Sequence, residues 1–212
     1  LNERYYYNVT VRDKANNENS TETRVITLDS LNPNINFSSG TEANNTFFNR
    51  NWIFVNITTF DNNSANLTFF LYNSSLDLIN QTNYTAFNNT NSSINFSNLA
   101  DTDKRYYYNA TATDKASNKN STETRIITLD SFNPSVRLEA PANNSWRSTA
   151  SSNFQYTVFD TNLEACTLYH NESGVWQLNE TNSTVESSIQ DTLTINLKDG
   201  NFIWNVLCND TA

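Results

Sequence analysis

The chain has 212 residues, of which 17% are charged and 13% aromatic, and it carries a net charge of −9. That balance excludes a nucleic-acid-binding role, which needs a basic face to neutralise phosphate, and no run approaches the ~18 consecutive apolar residues that would make a membrane-spanning segment. With three Gly and three Pro in the whole chain, and aromatic and β-branched residues spaced regularly, the composition is that of an ordered β-protein rather than a linker.

The first element, residues 4–33 (RYYYNVTVRDKANNENSTETRVITLDSLNP), reads as two strands around a turn at Asp13-Lys14-Ala15-Asn16-Asn17, whose Asp and Asn bond their own backbone. It recurs 101 positions later as residues 105–134 (RYYYNATATDKASNKNSTETRIITLDSFNP), with 23 of 30 positions identical. A period of this length means serial domains. It divides the chain into the last two strands of a truncated repeat (1–33), a complete domain (34–134) and a domain lacking its last strand (135–212).

Within the complete repeat, alternation of apolar and polar residues predicts strands near 35–38, 52–61, 66–73, 76–84, 92–98, 106–113 and 123–130, and no window carries a helical stripe. Seven short strands in about 100 residues predict an all-β antiparallel sandwich. Each repeat closes in TLDSLNP or TLDSFNP, where Pro33 and Pro134 follow a joint without Gly, so the domains should form a stiff head-to-tail string.

The last unit aligns through Asp160 on Asp61, which lays Phe154, Tyr156 and Val158 over Val55, Ile57 and Thr59. Likewise Phe202, Trp204, Val206 and Cys208 fall over Tyr106, Tyr108, Ala110 and Ala112. The two cysteines occur only here, Cys166 over Phe69 and Cys208 over Ala112. Both positions face inward on neighbouring strands, and in an exported protein such a pair is read as a disulfide.

Asparagine is the most abundant polar residue, with 39 copies against 49 Ser and Thr. Chance placement would give about nine Asn-x-Ser/Thr sequons; there are 20, none with Pro in the middle. They begin at Asn8, Asn19, Asn36, Asn44, Asn56, Asn62, Asn66, Asn73, Asn80, Asn83, Asn88, Asn91, Asn95, Asn109, Asn120, Asn143, Asn171, Asn179, Asn182 and Asn209. Codon bias toward Asn would raise Lys too, yet there are five Lys. The sequons are therefore taken as acceptors for N-linked glycan on an exported surface. Where both can be read, sequon and apolar positions alternate, as the pleat requires if one face is core and the other bears sugar.

Chemistry is hard to assemble from this chain. The single His170 follows the Cys166 strand and reads as a solvated loop residue, which leaves no nucleophile–base set. Asp160 with Glu164, or Asp101 with Asp103, are carboxylate pairs of a kind common in loops, so no enzymatic activity and no cofactor are expected. Calcium is the one metal worth weighing, because Asp29 and Asp130 sit at the joints and Asp101-Thr102-Asp103 precedes the sixth strand. No complete ligand set is visible, and turn-forming roles explain these residues more simply.

Taken together, the aromatic-x-aromatic strand, the Asp-x-Ala-x-Asn hairpin, the closing (V/I)-I-T-L-D with Asn-Pro after it, and the segments WIFVNITTFD, NLTFFLYN, CTLYHN and WNVLCND resemble the immunoglobulin-like repeats of large archaeal and bacterial cell-surface proteins. The likeness covers nearly the whole chain, with one departure: such repeats usually place Gly after the hairpin Ala, where this chain has Asn16 and Ser117. The resemblance implies immunoglobulin-like domains in a stalk, S-layer component, adhesin or filament outside the cell, and the sequon density points to an archaeal surface glycoprotein. Its expected partners are other repeats or other copies of the same protein. An alternative is an adhesin module whose loops bind a glycan or protein on another cell. A further variant has the N-terminal strands of one copy completing the last domain of another, against truncation of a continuous array.

Overall fold

Alternating apolar residues become strands throughout. The computed structural model describes residues 2–85 and 91–212, and its regular elements there are all β-strands. In chain order they are β1 (Asn2–Tyr7), β2 (Thr10–Arg12), β3 (Glu18–Ser20), β4 (Arg24–Asp29), β5 (Asn34–Phe37), β6 (Thr46–Phe48), β7 (Ile53–Phe60), β8 (Ser64–Tyr72), β9 (Leu78–Thr85) and β10 (Asn91–Phe96). There follow β11 (Lys104–Asp114), β12 (Lys119–Ser121), β13 (Arg125–Leu129), β14 (Ser135–Ala140), β15 (Ser151–Phe159), β16 (Leu163–His170), β17 (Gln177–Asn182), β18 (Gln190–Asn196) and β19 (Trp204–Asp210). The seven strands expected between residues 34 and 134 are all present, each within two residues of its expected ends. Two were missed, β6 and β12, because three-residue segments (Thr-Phe-Phe, Lys-Asn-Ser) are too short to show a period.

Two compact units are formed, one from Leu1–Asn44, Trp52–Ser97 and Tyr106–Ile126, the other from Asn45–Asn51, Asn98–Arg105 and Ile127–Ala212. In the first, β5 and β10 flank β7 in one antiparallel sheet, while β8 lies between β9 and β11 in another, with β12 folded back on β11. The inward faces are Ile53, Val55 and Ile57 from β7 and Leu67, Phe69 and Leu71 from β8, joined by Tyr108, Ala110 and Ala112 from β11, all essentially inaccessible to solvent. Phe37 meets Tyr108 edge to face across the core, with ring centroids 5.8 Å apart. These rows are immunoglobulin-like sandwich faces, and each alternate position is left outward.

The second unit repeats the plan with different residues. Sheet β14-β15-β18 packs Phe154, Tyr156, Val158 and Leu193 against Cys166, Leu168, Val206 and Cys208 of sheet β17-β16-β19. Phe154 and Trp204 meet edge to face at 4.9 Å. One pairing departs from the antiparallel expectation: β6 runs parallel to β13, with Phe47 opposite Thr128. Burial also corrects the reading of His170. It is no solvated loop residue but the last inward position of β16, 1% exposed, because the pleat carries Cys166, Leu168 and His170 to the same side.

Candidate functional site

The sequon asparagines lie where the pleat leaves them. Of the 19 among the described residues, none is buried; Asn56, Asn73, Asn109, Asn171 and Asn182 are half-buried and the other 14 exposed. Asn88 lies outside the described residues. Asn56 shows how sharp the alternation is, since its neighbours Val55 and Ile57 are 1% and 0% exposed. Several of the acceptor amides are already engaged. Asn56 Nδ2 donates to the Ser39 carbonyl at 2.9 Å, Asn73 Nδ2 to Asp77 at 3.0 Å, Asn109 Nδ2 to Thr124 at 2.9 Å and Asn182 Nδ2 to Asp191 at 2.6 Å.

Cys166 and Cys208 are bonded to one another, directly opposite on β16 and β19 with Cα atoms 4.0 Å apart. Closing a loop of 42 residues stabilises the fold by about 4 kcal/mol on the chain-entropy account. The register corrects one alignment. In the first unit Ala112 faces Leu67, not Phe69, so Cys166 occupies the place of Leu67. The strand keeps its spacing from the Asp160 turn, and a shift of two residues leaves the same face inward.

The most organised polar structure is duplicated. Carboxylate oxygens of Asp29, Asp61 and Asp114 lie within 4.8 Å of one another, and so do those of Asp130, Asp160 and Asp210. The members correspond one to one in the repeat: the closing Leu-Asp of the preceding repeat, the residue that follows β7 or β15, and the last residue of β11 or β19. In the first group the Asn63 amide donates to Asp29 at 2.6 Å while its backbone N–H caps Asp61 at 2.6 Å. Asn162 does the same for Asp130 and Asp160, each at 2.8 Å. Asn118 and Asn120 fasten the joint from the hairpin, donating to the Asp29 and Pro33 carbonyls at 3.1 and 3.0 Å. In the second group Asn162 also reaches Asp103, and the Ser131 N–H donates to the Asp101 carbonyl at 2.7 Å.

Of the carboxylates weighed for calcium in the sequence, Asp29 and Asp130 enter these groups; Asp101 and Asp103 only brace the second joint. Asp61, Asp114, Asp160 and Asp210 were not among those weighed for calcium; as a candidate for chemistry Asp160 reads only as a loop carboxylate paired with Glu164. Electrostatically the first group is divided. Hydrogen bonds from the Asn63 side chain and the Leu31 N–H hold the Asp29 carboxyl below the usual range. Burial pushes Asp61 up, with the charges of Asp114 and Asp29 adding to it against the Asn63 N–H. Three carboxylates so placed can share a proton or present oxygens to a hard cation, while the amide bonds by themselves tie the closing strand to the next sandwich.

Neither a protein-family model nor a curated protein sequence matches the chain. Among solved structures it is similar to the fibronectin(III)-like modules of Clostridium thermocellum CbhA, at 14% identity and TM-score 0.43, over 83% of this chain and 85% of that one. It is also similar to a tetra-tandem repeat in the extending region of a large adhesion protein, at 16% identity and TM-score 0.40. That match takes in the whole of this chain and spans about half (54%) of the other. A third similarity is to the FN1–FN3 domains of chicken CNTN1, at 11% identity and TM-score 0.37, over 99% of this chain and 71% of that one.

Proposed function

We propose that this chain is a non-enzymatic structural segment of an extracellular, cell-surface fibre of archaeal type, sheathed in N-linked glycan. Its repeating element is the domain 34–134, followed at 135–212 by a second domain and preceded at 1–33 by the end of another. Aromatic cores give each sandwich its resistance to unfolding. The Asp–Asn bonds tie each closing Leu-Asp to the sandwich that follows it, and sugar on the outward positions guards strand edges from proteases and lateral pairing. Other copies or repeats of the same protein are its partners.

The observation that carries this reading is the segregation of the sequons. Nineteen acceptor asparagines fall on described residues without one entering a core, although acceptors and core residues alternate along the same strands. The test is glycopeptide mapping of the protein purified from its native source. Occupancy is expected at exposed Asn62, Asn66, Asn95 and Asn179, and lower occupancy at Asn56, whose Nδ2 is held by Ser39. A mass equal to the bare 24.2 kDa chain, or to an unmodified longer one, would sink the glycan sheath.

A further inference from the structure

One sugar acceptor stands among aromatic rings. On β11 the outward residues Tyr107, Asn109 and Thr111 are half-buried and alternate with the buried Tyr106, Tyr108, Ala110 and Ala112. The register sets Asn109 directly opposite Phe70 of β8, and Tyr107 directly opposite Tyr72. Residues opposite one another leave the same side of a sheet, about 4.5–5.5 Å apart at Cβ, and diagonal neighbours are still within reach of a ring. Phe70 and Tyr72 are half-buried, and their rings stack with centroids 6.2 Å and planes 19° apart. Asn109 and Thr111 are the ends of a sequon, so the acceptor lies beside three rings.

The rest of this face is neutral. On β9 the partners of Thr68 and Phe70 are Asn83 and Gln81, and residues 68–72, 81–83 and 107–111 include no carboxylate and no cation. Rings, amides and hydroxyls without formal charge suit a sugar. A pyranose offers C–H bonds on one face to an aromatic ring and hydroxyls around its edge to amides, whereas a phosphate or an ionic partner would find no opposite charge here. The Asn109 amide is compatible with attachment. Its Nδ2 donates to Thr124 Oγ1 at 2.9 Å, and a glycosylated amide nitrogen keeps one hydrogen with which to make that bond.

The second unit carries the counter-case. Asn205 takes the place of Asn109, directly opposite Tyr169, but Leu207 replaces Thr111 and no sequon is formed. There the chain covers the ring itself: Trp176 stacks on Tyr169 with centroids 6.2 Å and planes 12° apart. In the first unit the turn from β8 to β9, Asn73 to Asp77, contains no aromatic residue that could do the same. Ring and acceptor also recur together, because Tyr6-Tyr7-Asn8-Val9-Thr10 matches Tyr107-Tyr108-Asn109-Ala110-Thr111.

We propose that Phe70, Tyr72 and Tyr107 form a seat for the first sugar of the glycan on Asn109, a pyranose that lies against these rings and covers the outward face of β8 and β11. That sugar is a further layer of the sandwich rather than a solvated appendage. Taking C–H and ring surface out of water stabilises the unit, and the seat sets the direction in which the glycan leaves the domain. The seat rests on the glycan-sheath reading and names a protein surface that one of its sugars occupies.

The test uses the full 212-residue chain in two preparations, one made in bacteria without sugar, the other made in a glycosylating host and trimmed to a single N-acetylglucosamine at each site. Hydrogen exchange of the β8 and β11 amides reads how often that sandwich opens. Asn109→Gln is expected to raise the opening constant about fivefold more in the sugared chain than in the bare one. Phe70→Thr, which keeps a strand-forming residue at an outward position, should remove that difference. Asn66→Gln is the control: Asn66 leaves the same face, but its register partners are Thr113 and Thr85, so its loss should act alike in both preparations. The acetamido methyl of the sugar on Asn109 should be shifted upfield in proton NMR by the rings, and Phe70→Thr should abolish the shift. Sugar present at Asn109 by mass, without the upfield shift and with Asn109→Gln acting alike in both preparations, overturns the seat and leaves the sheath reading standing. A bare Asn109 in the protein from its native source overturns both at this position.

Discussion

Residues 4–33 and 105–134 are nearly the same sequence in two different environments. Their polar networks coincide. The N–H of Val9 bonds Thr21 Oγ1 at 3.0 Å and that of Ala110 bonds Thr122 Oγ1 at 3.1 Å; Arg24 meets Glu22 and Arg125 meets Glu123, each at 2.8 Å. Their burial does not coincide. Tyr7 is 54% exposed and Tyr108 0%; Leu28 is 49% exposed and Leu129 0%. Local sequence therefore writes the hairpin and its apolar face, and a facing sheet is what turns that face into a core. The stabilisation differs accordingly, because apolar area counts only when it leaves water.

The sharpest way to break this comparison is to truncate the paired tyrosines. Tyr108→Ala removes a buried ring and the hydrogen bond from its hydroxyl to the Glu42 carbonyl (3.0 Å), and should cost about 3–5 kcal/mol. Tyr7→Ala should cost less than about 0.5 kcal/mol. Urea unfolding of both variants checks it; equal losses would mean that the first copy is packed in solution as the second is. The burial that makes Tyr108 costly also pushes its hydroxyl pKa up to about 12.

An intermediate effect is expected at the first acidic group. Asp61 has its folded pKa raised by burial and like charge, so its contribution is most favourable at low pH and is lost as pH climbs from the ordinary aspartate range through the raised value. Asp29 has its pKa lowered, so its contribution is present above the ordinary range and is lost as pH falls through the depressed value. Asp61→Asn keeps an oxygen for the Asn63 N–H and removes the charge. The variant should melt higher than the wild type at pH 7, with the gap closing in acid. A gap that persists at low pH would show that the change acts through packing rather than ionisation.

Much of this was legible in the chain. Strand positions from Ile53 to Leu129, the inward rows and the cysteine pair all followed from alternation and the repeat, because a pleat converts period directly into face. What escaped was set by contacts distant in sequence. His170 looked like a loop residue because a polar side chain ended an apolar alternation, yet its strand carries it inward. The acidic groups escaped because each aspartate alone is an ordinary turn residue, and only the return of three separated chain segments to one place gives them a common role. β6 depends on β13 beside it, more than 75 residues away along the chain.

The smallest effect tests whether the two hairpins are as alike as their hydrogen bonds suggest. In both turns the fourth residue is left-handed, Asn16 at φ 69° and Ser117 at φ 72°. The turns close identically, Asn17 and Asn118 each donating both backbone and side-chain N–H to the aspartate that starts the turn. Asparagine visits this conformation at little cost, whereas serine meets the clash between Cβ and backbone that makes it unfavourable for most L-residues. Ser117→Gly should therefore stabilise the fold by about 0.5–1 kcal/mol once the greater freedom of glycine in the unfolded chain is set against the relieved strain. Asn16→Gly relieves almost nothing and should be neutral or slightly destabilising. Melting curves of the two variants, side by side, should move apart. If they move together, the residue preceding the closing asparagine contributes equally in both copies, and the difference between the hairpins lies in burial alone.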